Sequence, residues 1–389
     1  MRAIGITFLL IMIITSLSAQ SLKDISFGSD NTFDFATWNI EWFPKDGQKT
    51  ADSVEKIIQA LDAEILALQE IGDTFTFNKM IKKLADYDWF YDPGYHGGLA
   101  YVYKKSALEI LDLYEIYTQE NYWHSLPRAP LVLEVKYRDT KYVFINNHLK
   151  CCGDGYLNIN DDNDEEKRRL DGITHIKYHI DNFLPEENVI LLGDLNDLIT
   201  DPVEHNVFQA FIDDPDHYLL ADLAIAEGNQ SGWSYPGWPS HLDHIIITNE
   251  LFDEFAADSS EIRTIEIDDY FAGGFREYDA TVSDHRPVGM KLITTSSTAG
   301  TGDKHVPINK INIYPNPSRG TLHMAFNVMS PGGAVELYNT CGVLIDRITL
   351  QPGQRYLEWT PDNRGPGLYI VKLSSGREIL AVEKLVILK

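Results

Sequence analysis

Cysteine is scarce in this chain. Cys151, Cys152 and Cys341 are the only three in 389 residues, and three thiols cannot all pair within one chain, so a disulfide framework is excluded as the source of the fold. The adjacent pair keeps two readings, a strained bridge or two reduced buried thiols. Positive charge is also in short supply: 33 Lys and Arg against 58 Asp and Glu leave a formal net charge of -25. That balance opposes tight, sequence-independent gripping of a polyanion through counterion release, so a nucleic-acid substrate needs a local basic groove or bridging metal ions. Past the N-terminus no apolar run reaches the about 20 residues needed to span a bilayer, so no transmembrane segment is expected after signal removal. No internal repeat is present.

What the chain does have is ordinary globular material, with 44% hydrophobic residues. At the N-terminus Arg2 precedes an apolar run from Ile4 to Leu17, closed by small residues up to Ala19 and Gln20. This is the anatomy of a signal peptide over residues 1–19. A buried helix fits less well because the run has no polar face. The small, polar stretch from Thr294 to Asp303 reads as a linker over residues 294–306, dividing a domain at 24–293 from one at 307–389.

In the first domain, apolar runs at Glu64–Gln69 and Asn188–Gly193 read as buried strands. Helical patterns lie at Ser53–Leu61, Phe77–Leu84 and Glu165–Phe183, the last with Leu170, Ile173, Ile176, Ile180 and Phe183 on one stripe. Leu131–Tyr137 and Tyr142–Asn147 flank the short turn Arg138-Asp139-Thr140, a hairpin, so the sheet is not purely parallel. The expectation is a mixed α/β layered domain with sheets inside and helices outside. After the linker, short strands with Gly, Pro and Asn turns predict a small C-terminal all-β sandwich.

Polar residues abutting apolar strands are where ligand contacts concentrate in α/β sheets. Such junctions are Trp38-Asn39-Ile40-Glu41-Trp42, Gln69-Glu70-Ile71, Asn146-Asn147-His148 and Gly193-Asp194-Leu195-Asn196-Asp197. Ser240-His241-Leu242-Asp243-His244 and Ser283-Asp284-His285-Arg286-Pro287 follow near the domain's end. Singly, each reads as an Asx-turn, a helix cap or a surface hydrogen bond. Together they describe one cluster of carboxylates, Asn and His. Oxygen ligands of this kind suit Mg²⁺ or Mn²⁺, with Ca²⁺ an alternative, and not structural zinc.

These motifs, in this order over Phe33 to Leu292, resemble the endonuclease/exonuclease/phosphatase superfamily, which includes DNase I and the neutral sphingomyelinases. The resemblance implies an α/β four-layer sandwich of two packed mixed sheets flanked by helices. It implies a metal held by Asn39, Glu70 and Asp284, water activation by Asp194, and a phosphate oxygen or that water held by Asn196. Asp243 would pair with His285 at the scissile phosphate, with His148 aiding the leaving group or the phosphate. Arg128 resembles the family's phosphate-side arginine, with a plain turn residue as the alternative. Leu242 stands where many nucleases of the family carry a basic neighbour, which weakens the expected grip on DNA. The implied activity is divalent-metal-dependent phosphoester hydrolysis by a monomer. A nucleic-acid substrate comes first, a phospholipid or small phosphoester second, and a non-catalytic binding module third.

Other signals read blandly. Asp161–Glu166 lacks the register of an EF-hand and reads as a helix start. His175 and His179 have zinc-pair spacing without a third ligand and read as a solvated face. Lys150, Lys167, Arg168 and Arg169 are a candidate phosphate-facing patch. In the tail, Ile313-Tyr314-Pro315-Asn316-Pro317, Gly365-Pro366-Gly367-Leu368-Tyr369 and the closing Glu383–Lys389 resemble the type A sorting domain of the type IX secretion system. An adhesive or carbohydrate-binding sandwich is the alternative. The sorting reading implies the type IX secretion machinery as a partner, export through the outer membrane and a secreted or cell-surface protein.

Overall fold

The computed structural model describes residues 21–92, 98–294, 311–314, 316–326, 333–340, 342–351, 356–361, 364–375 and 378–388. The expected signal peptide, nearly all of the expected linker and Cys341 lie outside the described residues.

The strands of the larger part are β1 (Thr32–Phe43), β2 (Ile65–Ile71), β3 (Tyr87–Asp92), β4 (Gly98–Lys104), β5 (Glu109–Glu115) and β6 (Leu131–Tyr137). They continue with β7 (Thr140–His148), β8 (Val189–Asp194), β9 (Tyr218–Leu220), β10 (Asp243–Thr248), β11 (Glu261–Thr264) and β12 (Val288–Ile293). They form two six-stranded sheets, ordered β11-β12-β1-β2-β4-β3 and β5-β6-β7-β8-β10-β9. Each sheet has one parallel pair near its middle, β1 with β2 and β7 with β8, and antiparallel neighbours elsewhere.

Side-chain alternation explains how the layers stack. Along β1, Phe33 and Phe35 enter a core that also holds Leu133, Phe144, Ile190 and Ile245 of the other sheet. Ala36, Trp38 and Ile40 face the opposite way, against α1 (Gln48–Leu61) and α2 (Thr74–Ile81). β8 does the same, with Ile190 and Leu192 between the sheets and Val189 and Leu191 under α3 (Glu165–Phe183). Strands apolar on both faces must be covered twice, and the result is the four-layer order of helices, sheet, sheet, helices that was expected. The antiparallel β6–β7 hairpin turns on Arg138 and Asp139 at φ 46 and 74, the left-handed pair that a tight hairpin loop demands.

Helix starts differ from the apolar patterns because caps set them. Asp73 accepts the N–H groups of Phe75 and Thr76, so α2 begins ahead of Phe77. Asp164 accepts the Lys167 N–H, confirming the acidic run as a helix start. On α3, His179 is a correction: it is buried against Phe183 and Tyr117 and is not part of a solvated face. Its surroundings are aromatic and apolar, and burial pushes its pKa down to about 3.

Polar contacts also cross the apolar interior, and one joins two buried amides. Gln69 Nε2 of β2 donates to Asn146 Oδ1 of β7 at 2.8 Å, and Asn146 Nδ2 donates to the carbonyls of Leu68 and Ala100 at 3.1 Å. Both amides are fully buried. The C-terminal part is separately built, with sheets β13-β14-β17 and β16-β15-β18-β19 sharing the core of Leu322, Met324, Val335, Leu337, Val371 and Leu385. Here β13 is Ile311–Tyr314, β14 Leu322–Phe326, β15 Ala334–Asn339, β16 Leu344–Thr349, β17 Tyr356–Trp359, β18 Gly367–Ser375 and β19 Glu378–Ile387.

Asn146→Ala strips two buried carbonyls and the Gln69 amide of their partner. We expect it to lower stability by about 2 kcal/mol, read as a shift in urea midpoint. An unchanged midpoint would show the cross-sheet amide to be dispensable.

Candidate active site

Register brings the strand-end residues together. In the second sheet His148 pairs across with Asp194, and Asp194 with Asp243. In the first sheet the β1–β2 register slips between Asn39 and Phe43, and the β2–β4 register between Leu68 and Ile71. Glu41, Trp42 and Glu70 take positive φ values of 37, 48 and 63 at these bulges, which turn side chains out of the sheet alternation.

The two sheets meet through Asn39. Its Nδ2 donates to Asp194 Oδ2 at 2.9 Å and to Glu70 Oε1 at 3.2 Å, while Glu70 Oε2 accepts the Trp42 N–H at 3.1 Å. His148 Nε2 lies 3.5 Å from Asp194 Oδ2 and 3.7 Å from Glu70 Oε1. His285 donates from Nδ1 to Asp243 Oδ2 at 2.7 Å and turns Nε2 toward Asp194 and Asp284, at 3.8 and 3.9 Å. Asn196, at φ 55, donates its backbone N–H to Asp194 Oδ1 at 3.2 Å. Arg128 donates to the carbonyls of His148 and Leu149, and the charges of Glu70 and Asp194 act on it. All nine expected residues therefore sit in one locality.

The Ser283–Arg286 turn is held from several sides. Ser283 Oγ donates to the Asn39 carbonyl at 2.7 Å and accepts the His285 N–H at 3.0 Å. Tyr278 and Trp38 donate to the His285 carbonyl. Arg286 forms a bidentate pair with Asp268 at 2.7 and 2.6 Å.

Charge states follow from these contacts. Burial disfavours a charged His285, but the carboxylates of Asp243 and Asp194 outweigh it and raise its pKa to about 10. His148 goes the other way, held well below the usual range by burial, Arg128 and His285. Asp194 is pushed up to about 7 by burial, with Asp243 and Glu70 adding to the push against His285 and Asn39.

Two residues that sequence reasoning left out belong here. Glu41 accepts the Asp284 N–H at 2.9 Å and pairs with Lys45. Burial and the Asp284 charge raise it to about 7 against the pull of Lys45. It was visible as a polar residue at the first junction, two residues past Asn39 and so on the same face by a strand's alternation. Tyr235 lies with its ring 4.8 Å from that of His285 and is pushed up to about 12 by burial and by Asp284, Glu41 and Asp194. No motif marked it. The basic patch, by contrast, is not assembled. Arg169 is buried on Asp197 and Glu166, Lys167 pairs with Asp171, and Arg168 donates to the His124 carbonyl.

Two clusters among the described residues have metal-like spacing, Asp194-Asp243-His285 and Asp222-His241-His244. The second is closed by hydrogen bonds. His244 donates Nδ1 to Asp222 at 2.6 Å and Nε2 to the Asp197 carbonyl at 2.8 Å, and His241 Nε2 meets the same Asp222 oxygen at 2.9 Å. With both ring nitrogens donating, His244 is an imidazolium paired with the Asp222 carboxylate, and no lone pair is left for an ion. Burial opposes both charges, but their mutual attraction raises the His244 pKa and lowers that of Asp222.

The Endonuclease/Exonuclease/phosphatase family model matches residues 36–285. The chain belongs to that family. Like the family's enzymes it is a phosphoester hydrolase. The family uses divalent metals. Among solved structures it resembles D. rerio TDP2 complexed with a single-strand DNA product, at a TM-score of 0.52 and 14% identity over 68% of this chain and 100% of that one. It also resembles the human Nocturnin catalytic domain with bound sulfate anion, at a TM-score of 0.50 and 14% identity over 68% and 94%. At these identities the likeness is one of fold. No curated protein matches. A secretion-system C-terminal sorting domain model matches residues 312–388, marking the protein for type IX export to the medium or the cell surface. Among the described residues no helix is long and apolar enough to cross a membrane.

Two expectations follow. Gly193, at φ 146, precedes Asp194, and a Cβ there would lie 2.0 Å from the Asn147 carbonyl oxygen. Gly193→Ala should displace Asp194 and cut kcat by about 10²-fold, as an ångström of misplacement does, while the protein still folds by circular dichroism. Asp222→Asn should cost about 3 kcal/mol by leaving a buried imidazolium unpaired. The raised His244 stabilises at low pH and loses its effect as pH climbs through its folded pKa. The lowered Asp222 stabilises at high pH and loses its effect as pH falls through its folded pKa. The gap between wild type and variant in urea melts is therefore widest between about pH 4 and 6.5, the unfolded values of the two groups, and narrows beyond both folded values.

Proposed function

We propose that this exported enzyme is a divalent-metal-dependent nuclease cleaving DNA or RNA phosphodiesters. The observation that carries the reading is the pairing of Asn39, Glu70 and Asp194 across the sheet junction with the Asp243–His285 pair facing them. The donor set suits a hard cation. Glu41, Glu70 and Asp284 supply oxygens, and Asp284 Oδ1 is buried with no hydrogen-bond partner among the described residues. Mg²⁺ or Mn²⁺ held by Asn39, Glu70 and Asp284 would neutralise charge developing on the phosphoryl oxygens.

The residues then divide the work. Asp194, poised near neutrality, orients the attacking water and takes its proton. Cationic His285, fixed by Asp243, donates from Nε2 to a phosphoryl oxygen. Asn196 steadies a phosphate oxygen or the water, Arg128 adds positive charge on the phosphate side, and neutral His148 stands by the leaving oxygen. Exposed Trp42, whose backbone bonds Glu70, and Tyr235 beside His285 offer ring faces to bases next to the scissile group. The net charge of -25 favours the second reading, a phospholipid or small phosphoester substrate.

The purified protein should nick plasmid DNA with Mg²⁺ or Mn²⁺ and stop with chelator. Glu70→Ala and His285→Ala should each lose about 10²-fold or more in kcat. Inactivity on DNA and RNA across a metal and salt series, with turnover of sphingomyelin or inositol phosphates, would install the second reading in place of the first.

A further inference from the structure

Beyond the hydrolytic residues, the loop that leaves β7 carries the adjacent thiols Cys151 and Cys152. They are unbridged and exposed, which corrects the expectation of buried thiols. Their sulfurs stand 2.8 Å apart, with Cys152 donating to Cys151, against about 2.0 Å for a disulfide bond. Cys152 lies at φ 73, and Lys150 Nζ lies 3.9 Å from Cys151 Sγ. Cys151 is thus the thiol beside the Lys150 cation.

The loop is tied to the candidate active site along its length. Arg128 donates to the carbonyls of His148 and Leu149, the Leu149 N–H donates to the Asp194 carbonyl at 3.0 Å, and Asn196 Nδ2 donates to Leu149 O. Arg169 Nη1 donates to the carbonyls of Lys150 and Cys152, both at 2.7 Å, while its Nε holds Asp197. A covalent change at residues 151 and 152 therefore acts on one carbonyl that anchors Arg169 and lies close in the chain to those that anchor Arg128.

We propose that Cys151 and Cys152 form a reversible vicinal disulfide in the exported protein, and that this closed ring fixes the loop that supports His148 and Asp194. The chemistry needs a small-molecule disulfide such as oxidised glutathione. The Cys151 thiolate attacks one of its sulfurs and expels a thiolate. The Cys152 thiol, giving up its proton, then attacks Cys151 Sγ and expels the second, so the pair loses two electrons and two protons and the oxidant becomes two thiols. Adjacent Cα atoms lie about 3.8 Å apart across a trans peptide, inside the about 4.4 Å lower limit of ordinary disulfides. The ring is therefore tight, and tight disulfides are the ones readily reduced. Export from the cytoplasm places the pair where disulfides persist.

The test uses the full-length protein, treated with oxidised glutathione, quenched in acid and mapped by peptide mass. We expect the peptide bearing both cysteines to be lighter by two hydrogens and to resist alkylation until dithiothreitol is added, with Cys341 read on its own peptide. Two alkyl groups on the pair without reductant, or glutathione retained on either sulfur, would overturn the disulfide whatever the substrate is. For the link to the site, hydrolysis of bis-(p-nitrophenyl) phosphate is followed before and after reduction. Wild type should lose several-fold in kcat with KM unchanged on reduction, and the double variant C151S/C152S should not respond. Equal rates in both redox states of wild type would overturn that link while leaving the mass result to stand alone. Circular dichroism of both forms separates a positioning effect from loss of fold.

Discussion

The Asn39 amide is the contact on which the site depends, because it is where the two sheets are fastened at their polar ends. Asn39 belongs to β1, Glu70 to the neighbouring strand and Asp194 to β8 of the opposite sheet, and one Nδ2 group reaches both carboxylates. Beneath it the Gln69–Asn146 pair makes a second crossing through an interior otherwise filled by Phe33, Phe35, Phe144 and their neighbours. Apolar packing alone sets a distance between sheets but leaves sliding nearly free, since it is not directional. Directional bonds between buried amides and carboxylates fix the slide, and with it the separation of the candidate site's groups contributed by different sheets.

Fastening the sheets this way concentrates negative charge. Glu41, Glu70, Asp194, Asp243 and Asp284 share one locality, and burial, with the neighbouring carboxylates adding to it, raises both Glu41 and Asp194 to about 7. His285 offsets part of this repulsion as a cation, and Arg128 contributes from outside. On the proposed reading the remainder is what a divalent ion answers. The folding of this corner and the affinity for a hard cation are therefore two aspects of one electrostatic arrangement. The closed Asp222–His244 pair behind it shows the contrasting solution, charge balanced internally with nothing left to bind.

Much of this was legible in the residue order, for physical reasons that can be named. Strands apolar on both faces, such as Val189–Leu192, announce layers on each side, and a polar residue ending such a strand has few places to go but the sheet's edge. Glu70, Asp194, Asp243 and His285 were visible by that rule, and the family resemblance added Asn39 and His148. What the rule misses are residues whose direction depends on an irregularity. Glu41 shares the parity of Asn39, but the backbone takes positive φ there, and its contact with the Asp284 N–H belongs to that irregular stretch. Tyr235 comes from a loop fixed by its bridge to Ser240. His179 shows the opposite error, since polar spacing on a helix suggests solvent while the partners that bury it, Tyr117 among them, come from distant sequence.

The acidic surface bears on how such a site can bind a polyanion. Of the basic residues near it, Arg169 is committed to Asp197 and Glu166, Lys45 to Glu41 and Asp279, and Lys150 sits by Glu165. Few cations are left to exchange for counterions along a nucleic-acid backbone, so affinity cannot scale with the number of phosphates covered. On the proposed reading it comes from the scissile phosphate itself, through a divalent ion, His285 and Arg128, and from ring contacts at Trp42 and Tyr235. Binding of that kind is weakly dependent on salt and tolerant of short substrates, because each added nucleotide contributes little. For an exported enzyme such a division leaves recognition to local chemistry, while the net charge of -25 opposes association between copies.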